Sequence, residues 1–346
     1  MEERTEINDL GEFGLIDRLT SKFKIEQDST ITGIGDDCAV IDCGESYRLI
    51  TTDMLVEGVH FNMMYAPLKH LGYKAAIVNF SDIYAMYGDV QQITVSIAVS
   101  SRFSVEALEE IYEGIRLACE LYKVDLVGGD TTSSLSGLVI SVTAIGEVQK
   151  NQIAHRHGAS ENELLVVTGN LGAAYMGLQV LEREKEVFKV NPNAQPEFTQ
   201  VDYILERQLK PEARKDIVHY LKSLGVVPTS MIDVSDGLAS ELKHLSKANG
   251  LGLVIYDEKL PIDQETFSTA RSFELDPTMC ALNGGEDYEL LFSIRQDDFD
   301  KIKDSEHLTV IGHFTEKNAE CYLADRAGKL TPLQAQGWDH FTGEEG

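Results

Sequence analysis

The chain has 346 residues, 43% hydrophobic and 25% charged with no long biased tract, which excludes disordered and fibrous classes and suggests roughly two domains at about 100–200 residues each. Thirty Lys and Arg against 57 Asp and Glu leave a net charge of −27, so phosphate-rich nucleic acid and anionic lipid are repelled and neither is expected as a partner. No apolar run reaches the ~20 residues that span a bilayer, and the five cysteines have no C-x-x-C spacing and read as reduced thiols.

In chain order, "MEERTEINDL" lacks the basic-then-apolar order of a signal peptide, and a cytoplasmic protein is expected. "QQITVSIAVS" alternates Ile93, Val95, Ile97 and Val99 with polar or small residues, the period of a half-buried strand. From Ser104 as N-cap, Leu108, Ile111, Tyr112, Ile115, Ala118, Cys119 and Tyr122 recur at three and four, which predicts an amphipathic helix. "VDLVGGDTT" and "GLVISVTAIGEV" return to strand character. The polar, aperiodic "QKNQIAHRHGASENE" then predicts a boundary near residue 148, giving domains 1–148 and 149–346. Beyond it, "ELLVVTG", "GLVIYDE", "YELLFSI" and "HLTVIGHF" read as strands, and "LGAAYMGLQVLEREK", "EARKDIVHYLKSLG" and "DGLASELKHLSKANG" as helices. The expected fold class is α/β (α+β) in two domains.

Six short motifs set acids beside Gly, Ser or Thr: "GIGDD" at 33–37, "ITTD" at 50–53, "NFSD" at 79–82, "VGGD" at 127–130, "IDVSD" at 232–236 and "NGGED" at 283–287. Each reads as lying at or beside a strand end, where loops carry binding groups. Any one of them is an ordinary turn composition. Six together suggest a shared cleft, and carboxylates gathered there need divalent cations to relieve their repulsion. Mg²⁺ suits such a site, because it takes hard oxygen ligands and is commonly shared with substrate phosphates. Walker A, protein-kinase and H-E-x-x-H signatures are missing, and "DVSDG" lacks the spacing and closing Glu of an EF-hand loop.

The series "GEFGLIDRL", "GIGDDCAV", "TTDMLVEGVHF", "NFSDIYAM", "VGGDTT", "RHGA", "VTGNLGAAYMGL", "IDVSDGLASEL", "GGEDYELLF" and "GWDHF" resembles the thiamine-monophosphate kinases, of the aminoimidazole-ribonucleotide synthetase superfamily, along nearly the whole chain. The resemblance implies a two-domain synthetase-like fold: an N-terminal mixed α/β domain that binds ATP and Mg²⁺ and pairs into a homodimer, and a C-terminal α/β domain that completes the site. It implies transfer of the ATP γ-phosphoryl group to thiamine monophosphate, with several Mg²⁺ ions, as the last step of thiamine diphosphate biosynthesis. It also implies a metal-ligand set of Asp37, Thr51, Thr52, Asp53, Asp82, Asp130, Asp233 and Asp236, with Asp82 and Asp130 central to the transfer. Tyr112, Gly129, Asp130, Arg156 and Ser235 fall on nucleotide contacts, and His60, Glu286 and Trp338 on contacts to thiamine monophosphate. Without the resemblance, His60 on a strand-like "GVHF" reads as a half-buried histidine, Trp338 as a core plug and Glu286 as a turn cap. The chain departs from the family pattern at "AMYGD", where Tyr87 is inserted before Gly88, and in "GASENE" after Arg156.

Two rivals follow. One is another ATP-dependent enzyme of the superfamily. Its selenophosphate and hydrogenase-maturation branches call for an N-terminal or C-terminal reactive cysteine, whereas the first cysteine is Cys38 and the chain ends "FTGEEG". The other is a noncatalytic sensor of thiamine phosphates and nucleotides, whose expected signature is loss of the acids, all of which are present.

Overall fold

The computed structural model describes residues 5, 10–196 and 198–335, without the side chains of 12 and 13. The first half comprises α1 (Gly11–Thr20), β1 (Thr30–Thr32), β2 (Ala39–Asp42), β3 (Ser46–Val56), α2 (Leu68–Ala85), β4 (Asp89–Val99), α3 (Val105–Tyr122), β5 (Asp125–Ser133) and β6 (Val139–Gln149). Its strands form one six-stranded sheet in the order β1-β2-β3-β6-β4-β5, antiparallel except for the β4–β5 pair. A parallel pair needs a long crossover, and the amphipathic α3 supplies it. Ser104 caps α3, its side chain accepting a hydrogen bond from the Ala107 amide at 3.3 Å.

The second half continues with β7 (Leu164–Thr168), α4 (Ala173–Val190), α5 (Asp202–Leu209), α6 (Lys215–Leu224), β8 (Ser230–Asp233), α7 (Leu238–Asn249), β9 (Leu251–Tyr256), α8 (Gln264–Ser272), α9 (Pro277–Asn283), β10 (Leu290–Ile294), α10 (Phe299–Ile302), β11 (Leu308–Lys317), β12 (Cys321–Ala324) and β13 (Leu330–Pro332). These strands form a seven-stranded sheet in the order β13-β12-β9-β11-β7-β10-β8, in which only β12 and β9 run parallel. Among the described residues no helix is long and apolar enough to cross a membrane.

Helix α2 packs against β3, β4 and β6 of the first sheet and against β8 of the second. Fourteen of its 18 residues are buried, as expected of a helix covered on all sides. The largest hydrophobic cluster accordingly runs through both halves, joining Val40, Ile77, Phe80 and Val142 to Val166, Met231, Leu290 and Phe292. A second cluster fills the space between the second sheet and α7, and a third lies among α4, α5 and α8.

Helices α2 and α3 touch backbone to backbone. A Cβ at Gly72 would lie 1.8 Å from the Ile111 carbonyl oxygen, and one at Gly114 would lie 1.9 Å from that of Lys69. The crossing therefore requires hydrogen at both positions. Gly114→Ala is expected to destabilise the protein by about 1–3 kcal/mol, the usual cost of overpacking, seen as an earlier urea midpoint. An unchanged midpoint would contradict so close a crossing.

Candidate active site

Four acids from distant parts of the chain meet where the two sheets face α2. Asp37 lies in the loop between β1 and β2, Asp53 on β3, Asp82 in the last turn of α2, and Asp233 at the end of β8. One carboxylate oxygen from each of Asp37, Asp82 and Asp233 falls within 4.8 Å of the others. Asp53 and Asp82 lie close enough for each to act on the other's charge. Neutral donors surround the group: the Thr51 hydroxyl donates to Asp82 Oδ2 at 2.5 Å and the Ser81 hydroxyl to Asp233 Oδ2 at 2.6 Å. The Asp53 amide donates to Asn79 Oδ1 at 2.9 Å, which fixes the strand against the helix. Arg156 brings the positive charge, its Nε and Nη2 donating to Asp37 Oδ1 at 3.2 and 2.6 Å.

Burial and mutual repulsion push these acids toward their neutral forms. Burial lifts Asp37 to about 6 although Arg156 pulls it down, and burial followed by the charge of Asp37 lifts Asp233 to about 7. Asp82 rises well above the usual carboxylate range through burial and then through Asp53, Asp233 and Asp37. Asp53 is raised by burial as well. Asp37 Oδ2 is buried with no hydrogen-bond partner among the described residues. An orphaned anionic oxygen beside two other carboxylates and a threonine hydroxyl is a donor set of hard oxygens, and it fits Mg²⁺.

Two loops close the second-half side. Residues 234–237 and 285–288 are zipped together: the Glu286 amide donates to the Ser235 carbonyl at 2.7 Å and the Tyr288 amide to that of Val234 at 2.9 Å. Glu286 and Tyr288 adopt φ of 58° and 50°, a left-handed conformation uncommon for side chains of their size and a form of local strain that clusters at functional sites. The buried Glu241 of α7 accepts from the amides of Ser235 (3.2 Å) and Asp236 (2.8 Å), so it fixes the turn that carries both residues. Glu286 itself is gripped by Lys74 Nζ at 2.7 Å and Gln208 Nε2 at 2.8 Å. Lys74, Gln208, His60 and Tyr65 line a cavity of about 20 Å³ beside it.

Of the expected site residues, Asp37, Thr51, Asp53, Asp82, Asp233 and Arg156 thus come together, and Ser235, Asp236, Glu286 and His60 lie on the loops and turn around them. The structure departs from the sequence reading in three motif placements. "NFSD" lies in α2, not at a strand end: Asn79, Ser81 and Asp82 point to partners from the final turns of a buried helix. "ITTD" and "VGGD" lie within strands β3 and β5. His60 sits in a turn instead of a strand, its Nδ1 accepting from the Val56 amide at 3.0 Å.

Four other positions stand apart from the cluster within one chain. Thr52 alternates away from Thr51 and Asp53, is exposed, and donates to the Val142 carbonyl at 3.1 Å. Gly129 and Asp130 lie on β5, the far edge of the sheet, where all nine residues are exposed. Tyr112 is half-buried on α3 against the main core. Trp338 lies outside the described residues.

The model of the family "AIR synthase related protein, N-terminal domain" matches residues 35–148. The thiamine-monophosphate kinase of Bacillus subtilis (strain 168) is 33% identical over 338 residues, covering 96% of this chain and 100% of that protein. The enzyme of the same name from Aquifex aeolicus (strain VF5) is 34% identical over 335 residues, covering 97% and 99%. The chain belongs to the thiamine-monophosphate kinase family. A solved structure described as AaThiL complexed with AMPPCP and TMP superposes with a TM-score of 0.83 at 32% identity, covering 98% of this chain and 99% of that one.

Sequence reasoning missed Lys74, Asn79, Ser81, Gln208 and Glu241 in this member of the kinase family. Lys74 carried a signal, being the one charge within the otherwise apolar, buried stretch "YKAAIVNF". Glu241 carried none, since its amide partners follow from the turn geometry alone.

The raised acids give a pH signature. Between the unfolded carboxylate value of 3.8 and the folded values of about 6 and 7, the folded protein holds more protons than the unfolded chain. Stability of the metal-free protein is therefore expected to fall as pH rises from about 5 to about 8, read as a falling Tm. Mg²⁺ should raise Tm at the upper pH and much less at the lower, where protons hold the same oxygens. A metal-free Tm that climbs over this range, with no response to Mg²⁺, would contradict the cluster.

Proposed function

We propose that this chain is a Mg²⁺-dependent thiamine-monophosphate kinase that moves the γ-phosphoryl group of ATP directly onto the phosphate of thiamine monophosphate, giving thiamine diphosphate and ADP. The observation that carries the reading is the convergence of Asp37, Asp82 and Asp233, with an orphaned buried oxygen, beside Arg156. Support comes from the family membership and from the related structure whose description names both a nonhydrolysable ATP analogue and TMP.

The chemistry asks little of acid–base groups. The attacking atom is a phosphate oxygen already ionised at neutral pH, so no side chain is needed to strip a proton. Two polyanions must instead be held in line and their charge offset. Asp37, Thr51, Asp53, Asp82, Asp233 and Asp236 are the residues we assign to Mg²⁺, which when bound supplies the positive charge that the phosphates share. Arg156 offers a planar fork for phosphate oxygens and exchanges Asp37 for them when the nucleotide enters. The turn fixed by Glu241 presents Ser235 to the nucleotide, and Glu286, held by Lys74 and Gln208, is assigned with His60 to the thiamine moiety, as is Trp338, which lies outside the described residues.

Asp130, Gly129, Thr52 and Tyr112 enter this reading through a homodimer. Edge strand β5 is exposed along its length, including Leu126 and Val127, and the neighbouring sheet face exposes Met54. An unprotected edge with apolar side chains favours pairing with a second copy. We accordingly read residues 1–148 as the nucleotide, metal and dimerisation domain and 149–346 as the domain that completes the site. An ATP-consuming enzyme with five unpaired thiols fits the reducing cytoplasm.

Asp82→Asn and Asp130→Asn are expected to leave the fold intact and to lower kcat for diphosphate formation by roughly 10²-fold or more. The assay mixes protein, ATP, Mg²⁺ and thiamine monophosphate and follows the diphosphate. Wild-type rates from both variants would refute the assignment.

A further inference from the structure

The reaction described above has no use for His155 and His157, which flank Arg156, or for Asp36, which precedes Asp37. One ligand atom from each of the three nevertheless lies within 4.8 Å of the others. We propose that Asp36, His155 and His157 form a second cation site, selective for a borderline transition ion of the zinc class.

The carboxylate is already set for one-oxygen ligation. The Asp36 side chain is almost wholly buried, and its Oδ1 accepts from the amides of Asp37 at 3.1 Å and Arg156 at 3.2 Å. Those two bonds leave Oδ2 aimed at His155 Nδ1, 2.7 Å away, with a proton between them. The His155 and His157 rings stack with centroids 4.7 Å apart and planes 25° apart. His157 is exposed, which gives an entering ion a path from solvent.

The backbone that carries both histidines is fixed. The His155 carbonyl accepts from the Met231 amide at 2.8 Å. Asn249 binds the next residues from both ends of its amide, donating to the Arg156 carbonyl at 2.9 Å and accepting from the Gly158 and Ala159 amides at 2.8 Å each. Only side chains must therefore move. Tetrahedral Zn²⁺ with bonds of 2.0–2.1 Å has ligands about 3.4 Å apart. Rotation of the exposed His157, and loss of the proton between Asp36 and His155, bring the set to that spacing. A water completes the fourth position, and binding releases the proton.

Donor chemistry separates this site from its neighbour. Two imidazoles and one carboxylate suit Zn²⁺, Ni²⁺ or Co²⁺, whereas Asp37, Asp82 and Asp233 offer only hard oxygens. An ion held by Asp36, His155 and His157 would tie the 33–37 acid loop to the segment bearing Arg156.

The test is equilibrium dialysis of the full chain against Zn²⁺ in excess Mg²⁺, which keeps the oxygen-only site from contributing. One equivalent of tightly bound Zn²⁺ is expected for the wild type. His157→Ser and His155→Gln should each weaken it by about tenfold or more. His219→Asn, which alters a surface histidine paired with Asp89, should leave it unchanged. Turnover of His157→Ser with ATP and Mg²⁺ should equal that of the wild type, which also shows that this variant is folded. Absence of Zn²⁺ binding, or equal affinity in wild type and His157→Ser, would overturn the site. The dialysis uses no nucleotide or thiamine compound, so its failure is distinct from a failure of the proposed kinase activity.

Discussion

Repulsion among buried carboxylates is the constraint around which the rest of this structure is arranged. Asp37, Asp53, Asp82 and Asp233 are carried by a loop, two strands and a helix, and no local preference of the chain would place them together. Packing of α2 between the two sheets does so, because a helix buried on nearly every face has one position and brings Asp82 to Asp53 on one side and to Asp233 on the other. The apolar burial that stabilises this arrangement also strips the acids of water, so the same contacts that hold the site raise its electrostatic tension. Within the chain, Arg156 offsets part of it, and the hydroxyls of Thr51 and Ser81 satisfy individual oxygens without adding charge.

The second-half loops answer a different need. A turn proposed to contact the nucleotide has to keep its backbone in one shape while ligands come and go, and Glu241 fixes 234–237 from beneath through two amides. Burial and the charge of Asp236 push Glu241 well above the usual carboxylate range, so this support shares the tension of the acid cluster. The zipped loop beside it holds Glu286 and Tyr288 in left-handed conformations, and the grip of Lys74 and Gln208 on Glu286 maintains that geometry from α2 and α5. Helix α2 thus positions Asp82, one of the acids proposed to hold Mg²⁺, at its C-terminal end, and Lys74, a partner of the proposed substrate-contacting acid, nearer its start.

Elements with a strong period were legible in the sequence: α3 with its Ser104 cap, and β4 with alternating Ile93, Val95, Ile97 and Val99, lie where the pattern puts them. "NFSD" was not, because α2 is apolar all round and carries no amphipathic stripe, so a polar cluster at its end looks like a loop. The acid cluster was legible as composition but not as geometry. Six similar motifs suggest a shared site, but within one chain "VGGD" lies apart on the β5 edge, and only the strand register sends Thr51 and Asp53 inward and Thr52 outward. The supporting residues were the least legible: Asn79, Gln208 and Lys74 act through partners 26 to 212 positions away, and such pairings follow from the fold alone.

Register also fixes where Asp130 lies relative to the acid cluster. Sheet pairing aligns Met54 with Ser141, Ser141 with Ser96 and Ser96 with Asp130, a row on the face that Thr52 shares and opposite to the face of Asp53. Three strand spacings of about 4.8 Å separate β3 from β5, so the inward acids and Asp130 are about 14 Å apart laterally as well as on opposite sides. No side-chain rotation spans that separation. If Asp130 acts in the transfer, it acts on a site to which another copy contributes, and the exposed β5 edge with Leu126 and Val127 is where that copy would be recruited. Dimerisation and catalysis would then draw on the same strand, and weakening the edge contacts would lower turnover without disturbing the acid cluster inside either chain.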